Sequence, residues 1–245
     1  TTLLLATPLV NAIASQTPEG SSPEISSPES KGLAIAHEAD RRDTGWIDQI
    51  SDLKMILRNN QGQESTREIR TSSLEITGDG DKSLSVFDTP ADVRGTAFLS
   101  HTHALKPDDQ WLFLPALNRV KRISSANKSG PYMGSEFAYE DISSQEVDKY
   151  TYKWLYDAAI NGRDCFVMER YPLDKNSGYT RQVAWLDKTI YQPLKVDYYD
   201  RKDSLLKTQT FNDYQLYLDK FWRPDSMDML NHQNGKSTLL IMANF

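Results

Sequence analysis

With 245 residues, the chain is long enough to bury a core without disulfide or metal staples. Its 34 acidic against 28 basic residues give a net charge of −6, which excludes a nucleic-acid binder working through overall charge and leaves only local contacts with polyanions. Cys165, the single cysteine, excludes an intramolecular disulfide and a cysteine-based zinc cluster, and its CFVM setting marks a buried, inert thiol.

Thr1 to Ala14 (TTLLLATPLVNAIA) is apolar, uncharged and too short to span a bilayer. It ends in the small-x-small pattern Ala12-Ile13-Ala14 and reads as the rear part of a secretory signal peptide, which places the mature chain in an envelope space. Ser15 to Lys31 is dominated by Ser, Pro and Glu, which bury too little apolar area to offset the entropy of ordering; it reads as a flexible linker. A single domain is expected from Gly32 to Phe245. It opens with a short amphipathic helix, Gly32 to Arg42, carrying Leu33, Ala36 and Ala39 on one side and stopping at Thr44-Gly45.

From Trp46 onward the apolar period becomes two. Leu53, Met55 and Leu57 alternate with Asp52, Lys54, Ile56 and Arg58, and NNQGQ turns the chain into Glu64 to Ile76. Alternating segments follow at Ser83 to Asp88, Gly95 to His103, Gln110 to Leu114, Leu117 to Ile123, Tyr150 to Asp157, Asp164 to Tyr171, Thr180 to Asp187, Leu194 to Asp200, Leu205 to Tyr214, Phe221 to Leu230 and Ser237 to Met242. Turn signals such as Asn161-Gly162 and Asn234-Gly235 separate them. The pattern predicts a mainly β, antiparallel meander, which must curl because flat open sheets beyond about ten strands are unusual. A curled sheet encloses a cavity or needs a plug, for which the helical patch Gly134 to Ile142 and the N-terminal helix are candidates. The sequence ends within strand-like residues, Ile241 to Phe245, as if a further C-terminal strand were cut off.

Motifs for nucleophilic catalysis or phosphate binding are missing, and the carboxylate pairs Asp108-Asp109 and Glu140-Asp141 read as solvated surface. His101 and His103 would share a face if extended, but with no acidic residue in a fixed relation to them they read as a polar strand end. No enzyme, metal or other cofactor is expected. Large apolar residues are abundant on both parities of the strands, so both faces are covered over part of their length and one can line an apolar pocket. The lining candidates are Met55, Leu57, Phe87, Phe98, Trp111, Phe113, Leu114, Phe137, Trp154, Tyr156, Phe166, Met168, Trp185 and Tyr198; read blandly, each is an ordinary core residue. Asp108 to Ile123, DDQWLFLPALNRVKRI, leaves open whether Trp111 and Phe113 or Leu112 and Leu114 face inward. Arg119 and Lys121 share one face and Arg122 takes the other, forming either a solvated strand end or a rim for phosphate head groups, carboxylates or an acidic partner.

In order after an exported leader, ADRRDTGWIDQISDLKMILRNNQGQESTREIR, DDQWLFLPALNRVKRI and GSEFAYEDI together resemble the outer-membrane lipoprotein-sorting-like proteins. That family is related in fold to the periplasmic lipoprotein-localisation (Lol) carriers of Gram-negative bacteria, and the similarity runs from about Gly32 to Met242. The resemblance implies an unclosed, or half, antiparallel β-barrel of about eleven strands, with an N-terminal helix and a short helical cover over an apolar cavity for acyl chains. It further implies a periplasmic, non-enzymatic carrier of lipid or acylated lipoprotein, working with an inner-membrane transporter of the resistance-nodulation-division class; a monomer is expected. On this chain the motif places Trp111, Phe113, Leu114 and Pro115 in the barrel wall, Arg119, Lys121 and Arg122 at its basic end, and Gly134 to Asp141 in the cover. The alternative is a structural adaptor, the same sheet filled by its own side chains and docked on an envelope transporter complex. A continuous apolar cavity of several hundred cubic ångströms favours the carrier, and a filled interior the adaptor.

Overall fold

The computed structural model describes residues 27–244, so the expected leader and residues 15–26 of the expected linker lie outside the described residues. Helix α1 (Pro28–Asp43) comes first, and the alternating segments that follow are all strands: β1 (Asp48–Arg58), β2 (Glu64–Leu74), β3 (Lys82–Thr89), β4 (Ala97–His101), β5 (Asp109–Leu114), β6 (Arg119–Ile123), β7 (Tyr150–Ile160), β8 (Arg163–Pro172), β9 (Tyr179–Asp187), β10 (Pro193–Asp200), β11 (Leu205–Tyr217), β12 (Phe221–Asn231) and β13 (Ser237–Ala243). They form one 13-stranded sheet in the order β6-β5-β4-β3-β2-β1-β13-β12-β11-β10-β9-β8-β7. The order is cyclic: neighbours in sequence are neighbours in space, β13 pairs with β1, and among the described residues one ladder is missing, between β6 and β7. The sheet is therefore an up-and-down barrel with one open seam. It has more strands than the roughly eleven implied by resemblance.

Helix α1 starts at Pro28, so Pro28 to Lys31 are helical and not linker. Ser27 is the N-cap, its Oγ accepting from the Ser30 N–H at 3.1 Å, and Pro28 stands in the first turn, where its missing N–H leaves no bond unmade. The buried side differs from expectation as well: Gly32, Ile35 and Ala36 are buried, whereas Leu33 is exposed. Gly32 sets this rotation. A Cβ at that position would lie 2.8 Å from the Trp154 backbone N and 2.9 Å from the Lys153 backbone N, so only glycine lets the helix backbone rest on β7. Gly32→Ala should push the helix off the strand and lower stability by about 1–3 kcal/mol. A urea unfolding midpoint equal to wild type would refute that packing role.

Register decides which strand parity lies inside. Inward residues meet across the ladders: Leu112 opposes Phe98, which opposes Ser85, and in the neighbouring row Phe87 opposes Ile69, which opposes Leu53. Across the other half, Met55 opposes Leu240, Met229 opposes Gln209, Val196 opposes Ala184, and Ala184 opposes Met168. Met55, Phe87, Phe98, Met168 and Leu240 belong to one apolar cluster on this inner face, each full burial contributing about 1.5–3 kcal/mol. On the outer parity of β8 and β9, Cys165, Val167 and Val183 are also buried, and burial pushes the Cys165 thiol pKa up.

Residues 124–149 connect β6 to β7 and so run from one sheet edge to the other. The expected helical patch Gly134 to Ile142 is not a helix. Its place is taken by two single 3₁₀ turns, Tyr132–Gly134 and Tyr139–Asp141, joined by an antiparallel bridge between Pro131 and Ala138. Met133 and Gly134 have φ of 50° and 78°, left-handed values that stop a right-handed helix. The Tyr132 N–H donates instead to the Phe137 carbonyl at 2.7 Å.

Candidate ligand-binding face and its cover

The strand pairing sorts the expected lining residues into two groups. Met55, Leu57, Phe87, Phe98, Leu114, Trp154, Phe166, Met168 and Tyr198 lie on the inner parity, and Phe137 projects onto that face from the cover. Trp111, Phe113, Tyr156 and Trp185 lie on the outer parity, a correction with a clear cause. Trp111 and Phe113 oppose Arg122 and the exposed Val120; Trp185 opposes Lys195, whose ammonium sits 4.2 Å from its ring; and a bulge after Trp154 turns Tyr156 outward. Leu112 and Leu114, not Trp111 and Phe113, therefore face inward. β5 and β6 form a hairpin about the 3₁₀ turn Pro115–Leu117, with left-handed Asn118 donating to the Pro115 carbonyl at 3.0 Å. Arg119, Lys121 and Arg122 are exposed on edge strand β6, with Arg122 ion-paired to Asp109.

The cover seats two aromatic side chains on the inner face. Tyr132 is 2 % exposed and Phe137 1 %. The Tyr132 ring centroid lies 5.2 Å from Phe98, 6.0 Å from Phe87 and 5.6 Å from Tyr139, separations at which aromatic pairs attract. Polar groups hold these side chains in place. Lys207 on β11 is 3 % exposed; its Nζ donates to Asp141 Oδ2 at 2.6 Å and to the Glu136 carbonyl at 3.0 Å. Asp141 also accepts from the Tyr179 hydroxyl at 2.8 Å and from the Ala138 N–H at 2.6 Å. Asn231 donates to Glu136 Oε2 at 2.7 Å, and the Glu136 N–H donates to Thr238 Oγ1 at 3.0 Å. Glu140 accepts from the Ser177 hydroxyl and the Gly178 N–H, both at 2.8 Å, while burial pushes its carboxyl pKa up.

The apolar inner face is thus occupied by the chain itself. A cavity of about 800 Å³ lies beside it, between α1, the turn after β2 and strands β8 to β10. Its lining is mixed: Ala36, Tyr152, Met168 and Tyr191 meet Asp43, Glu146, Arg170 and Arg223. Met168 is the expected lining residue that borders it. Burial pushes the Asp43 and Glu146 carboxyls up, against the pull of Arg223, which donates to Asp43 at 2.6 Å, and of Thr102, which donates to Glu146 at 3.2 Å.

Sequence reasoning missed Tyr132, Tyr179, Lys207 and Arg223. Lys207 had a usable signal: it shares strand parity with Gln209 and Phe211, so a lysine was due to point inward wherever Phe211 did. Tyr132 had none, since it precedes the patch whose spacing drew notice.

A protein-family model described as "Uncharacterized protein" matches residues 79–245. Among solved structures, a candidate outer membrane lipoprotein-sorting protein domain from Vibrio parahaemolyticus is 61% identical, with 87% of this chain and 91% of that chain covered and a TM-score of 0.86. A DUF1329 family protein from Desulfovibrio piger is 33% identical, over 89% of this chain and 92% of that one, at a TM-score of 0.84. A LolA superfamily protein from Nitrosomonas europaea shares the fold at 21% identity and a TM-score of 0.70, over 87% and 91% of the two chains. No curated protein matches the sequence.

Proposed function

The chain belongs to the family that holds the Vibrio lipoprotein-sorting domain and the Desulfovibrio DUF1329 protein, and from that membership we propose that it is a periplasmic, non-enzymatic carrier of a lipid, a lipoprotein acyl chain or a similar amphiphile. One observation carries the reading: Tyr132 and Phe137, borne on the segment that joins the unpaired edge strands β6 and β7, cover an apolar face of the sheet. Moving residues 124–149 exposes that face without breaking a strand ladder. The energetics suit exchange. An acyl chain of about a dozen methylenes gains roughly 10 kcal/mol on burial, and lifting two aromatic side chains costs about 3–6 kcal/mol before the polar contacts are counted. Loading and release then lie within reach of each other, with handover to a partner, such as an inner-membrane transporter of the resistance-nodulation-division class, tipping the balance.

Native mass spectrometry with lipid extraction of protein purified from its own envelope is expected to find a bound amphiphile, and a fluorescent fatty-acid probe is expected to bind saturably. The filled inner face favours a second reading, a structural adaptor that docks on an envelope complex. Co-purification of a membrane transporter with no amphiphile and no probe binding would establish the adaptor and sink the carrier.

A further inference from the structure

We propose that Asp79, His101 and His103 form a binding site for a borderline divalent transition metal of the zinc type, with three protein ligands and a fourth position left to water. Asp79 sits in the turn between β2 and β3, His101 is the last residue of β4, and His103 follows two residues on. Their candidate ligand atoms all lie within 4.8 Å of one another. His103 Nδ1 is 2.8 Å from Asp79 Oδ2, His101 Nε2 is 3.9 Å from the same oxygen, and the two imidazole centroids are 4.0 Å apart.

A hydrogen-bond network alone leaves this cluster incomplete. His101 Nε2 is buried and has no hydrogen-bond partner among the described residues. An orphaned buried nitrogen of this kind is unfavourable, and the Asp79 carboxylate oxygen, at 3.9 Å, is too far away to bond to it directly. A metal between them removes the conflict, because ligand atoms about 2.0–2.2 Å from zinc stand roughly 3–4 Å from each other. Sub-ångström shifts of the three side chains meet that spacing.

The surroundings are arranged as an outer shell. His103 is 2 % exposed, and its Nε2 faces Asp109 Oδ2 at 3.2 Å. With a metal on Nδ1, Asp109 would accept the Nε2 proton, and Asp109 is itself held by Arg122. The Ala104 N–H donates to Asp79 Oδ1 at 2.9 Å and leaves Oδ2 for the metal. Gly80 presses directly against Thr102, where no side chain would fit, so the turn carrying Asp79 is fixed against the strand end carrying the histidines. Two imidazoles and one carboxylate suit zinc, nickel or copper(II), whereas magnesium and calcium prefer all-oxygen shells. Asp79 and Ala104 also border the 800 Å³ cavity, so a bound metal would pin the wall of that cavity from outside.

Isothermal titration of tag-free, chelator-stripped full chain with zinc chloride should give one equivalent per chain, and magnesium chloride no binding. His101→Ala removes no hydrogen bond and should fold, yet bind zinc at least about tenfold more weakly; Asp109→Asn should weaken it about 10- to 100-fold through the outer shell. His101→Gln, which keeps volume and polarity, serves as a second variant if the alanine protein is unstable. Zinc should raise the wild-type thermal midpoint and leave that of the His101 variants unchanged. Absence of saturable zinc binding by wild type, or equal binding by both His101 variants, overturns the proposal.

Discussion

Lys207→Met should destabilise the protein by about 3–5 kcal/mol, the usual cost of removing one partner from a buried ion pair. Methionine keeps the apolar stem but leaves Asp141, 2 % exposed at its side chain, as a buried carboxylate without its cation. The Tyr179 hydroxyl and Ala138 N–H still donate to it, though neither carries a full charge. Because Lys207 belongs to β11 and Asp141 to the cover, the loss falls on the contact between cover and sheet. Limited proteolysis within residues 124–149 should accelerate, and a fatty-acid probe should bind more tightly. Adding Asp141→Asn should recover much of the thermal midpoint by removing the stranded charge. A single-variant loss below about 1 kcal/mol, within the range of ordinary surface changes, would show that the pair does not latch the cover.

Phe98→Ala should cost about 3–5 kcal/mol, because it empties the space between Leu112, Ser85 and the Tyr132 ring in a face with no room to collapse. Phe113→Ala, by contrast, should cost about 1 kcal/mol or less. Its side chain is on the outer parity, half-buried and opposite Val120, which is 60 % exposed. Chemical denaturation of the two variants side by side tests the assignment of faces. Equal losses would mean that the outer face of β4 to β6 is covered in solution.

The strands were legible because period-two alternation and Gly, Asn and Asp turns are local signals; every alternating segment became a strand. Parity was not legible in WLFL, since all four side chains are apolar and the choice is made across the sheet by Phe98 and Val120. The start of α1 was hidden by composition: Ser27-Pro28 is a capping signal inside a stretch that otherwise reads as linker. The buried stripe was misplaced by counting apolar residues, when the contact that matters is backbone on backbone at Gly32. The cyclic order rests on the pairing of β13 with β1, a contact between opposite ends of the chain that no local pattern encodes. On a shorter scale, Asp79 stands 24 residues before His103 and on a different turn, so a pair without an acidic neighbour in sequence acquired one in space.

An unpaired ladder leaves two rows of free backbone N–H and C=O groups, which invite strands from other molecules and are a common start of aggregation. Here β6 carries Arg119, Lys121 and Arg122 along five residues, and β7 carries Lys153 and a bulge at Trp154 that disrupts a straight edge. A foreign strand added to β6 would have to desolvate three cations, and one added to β7 would meet a twisted register. Cations that look like a greeting for an anionic head group also work as a fence. Each edge of the opening thus carries, in its own residues, a feature that disfavours the addition of a further strand.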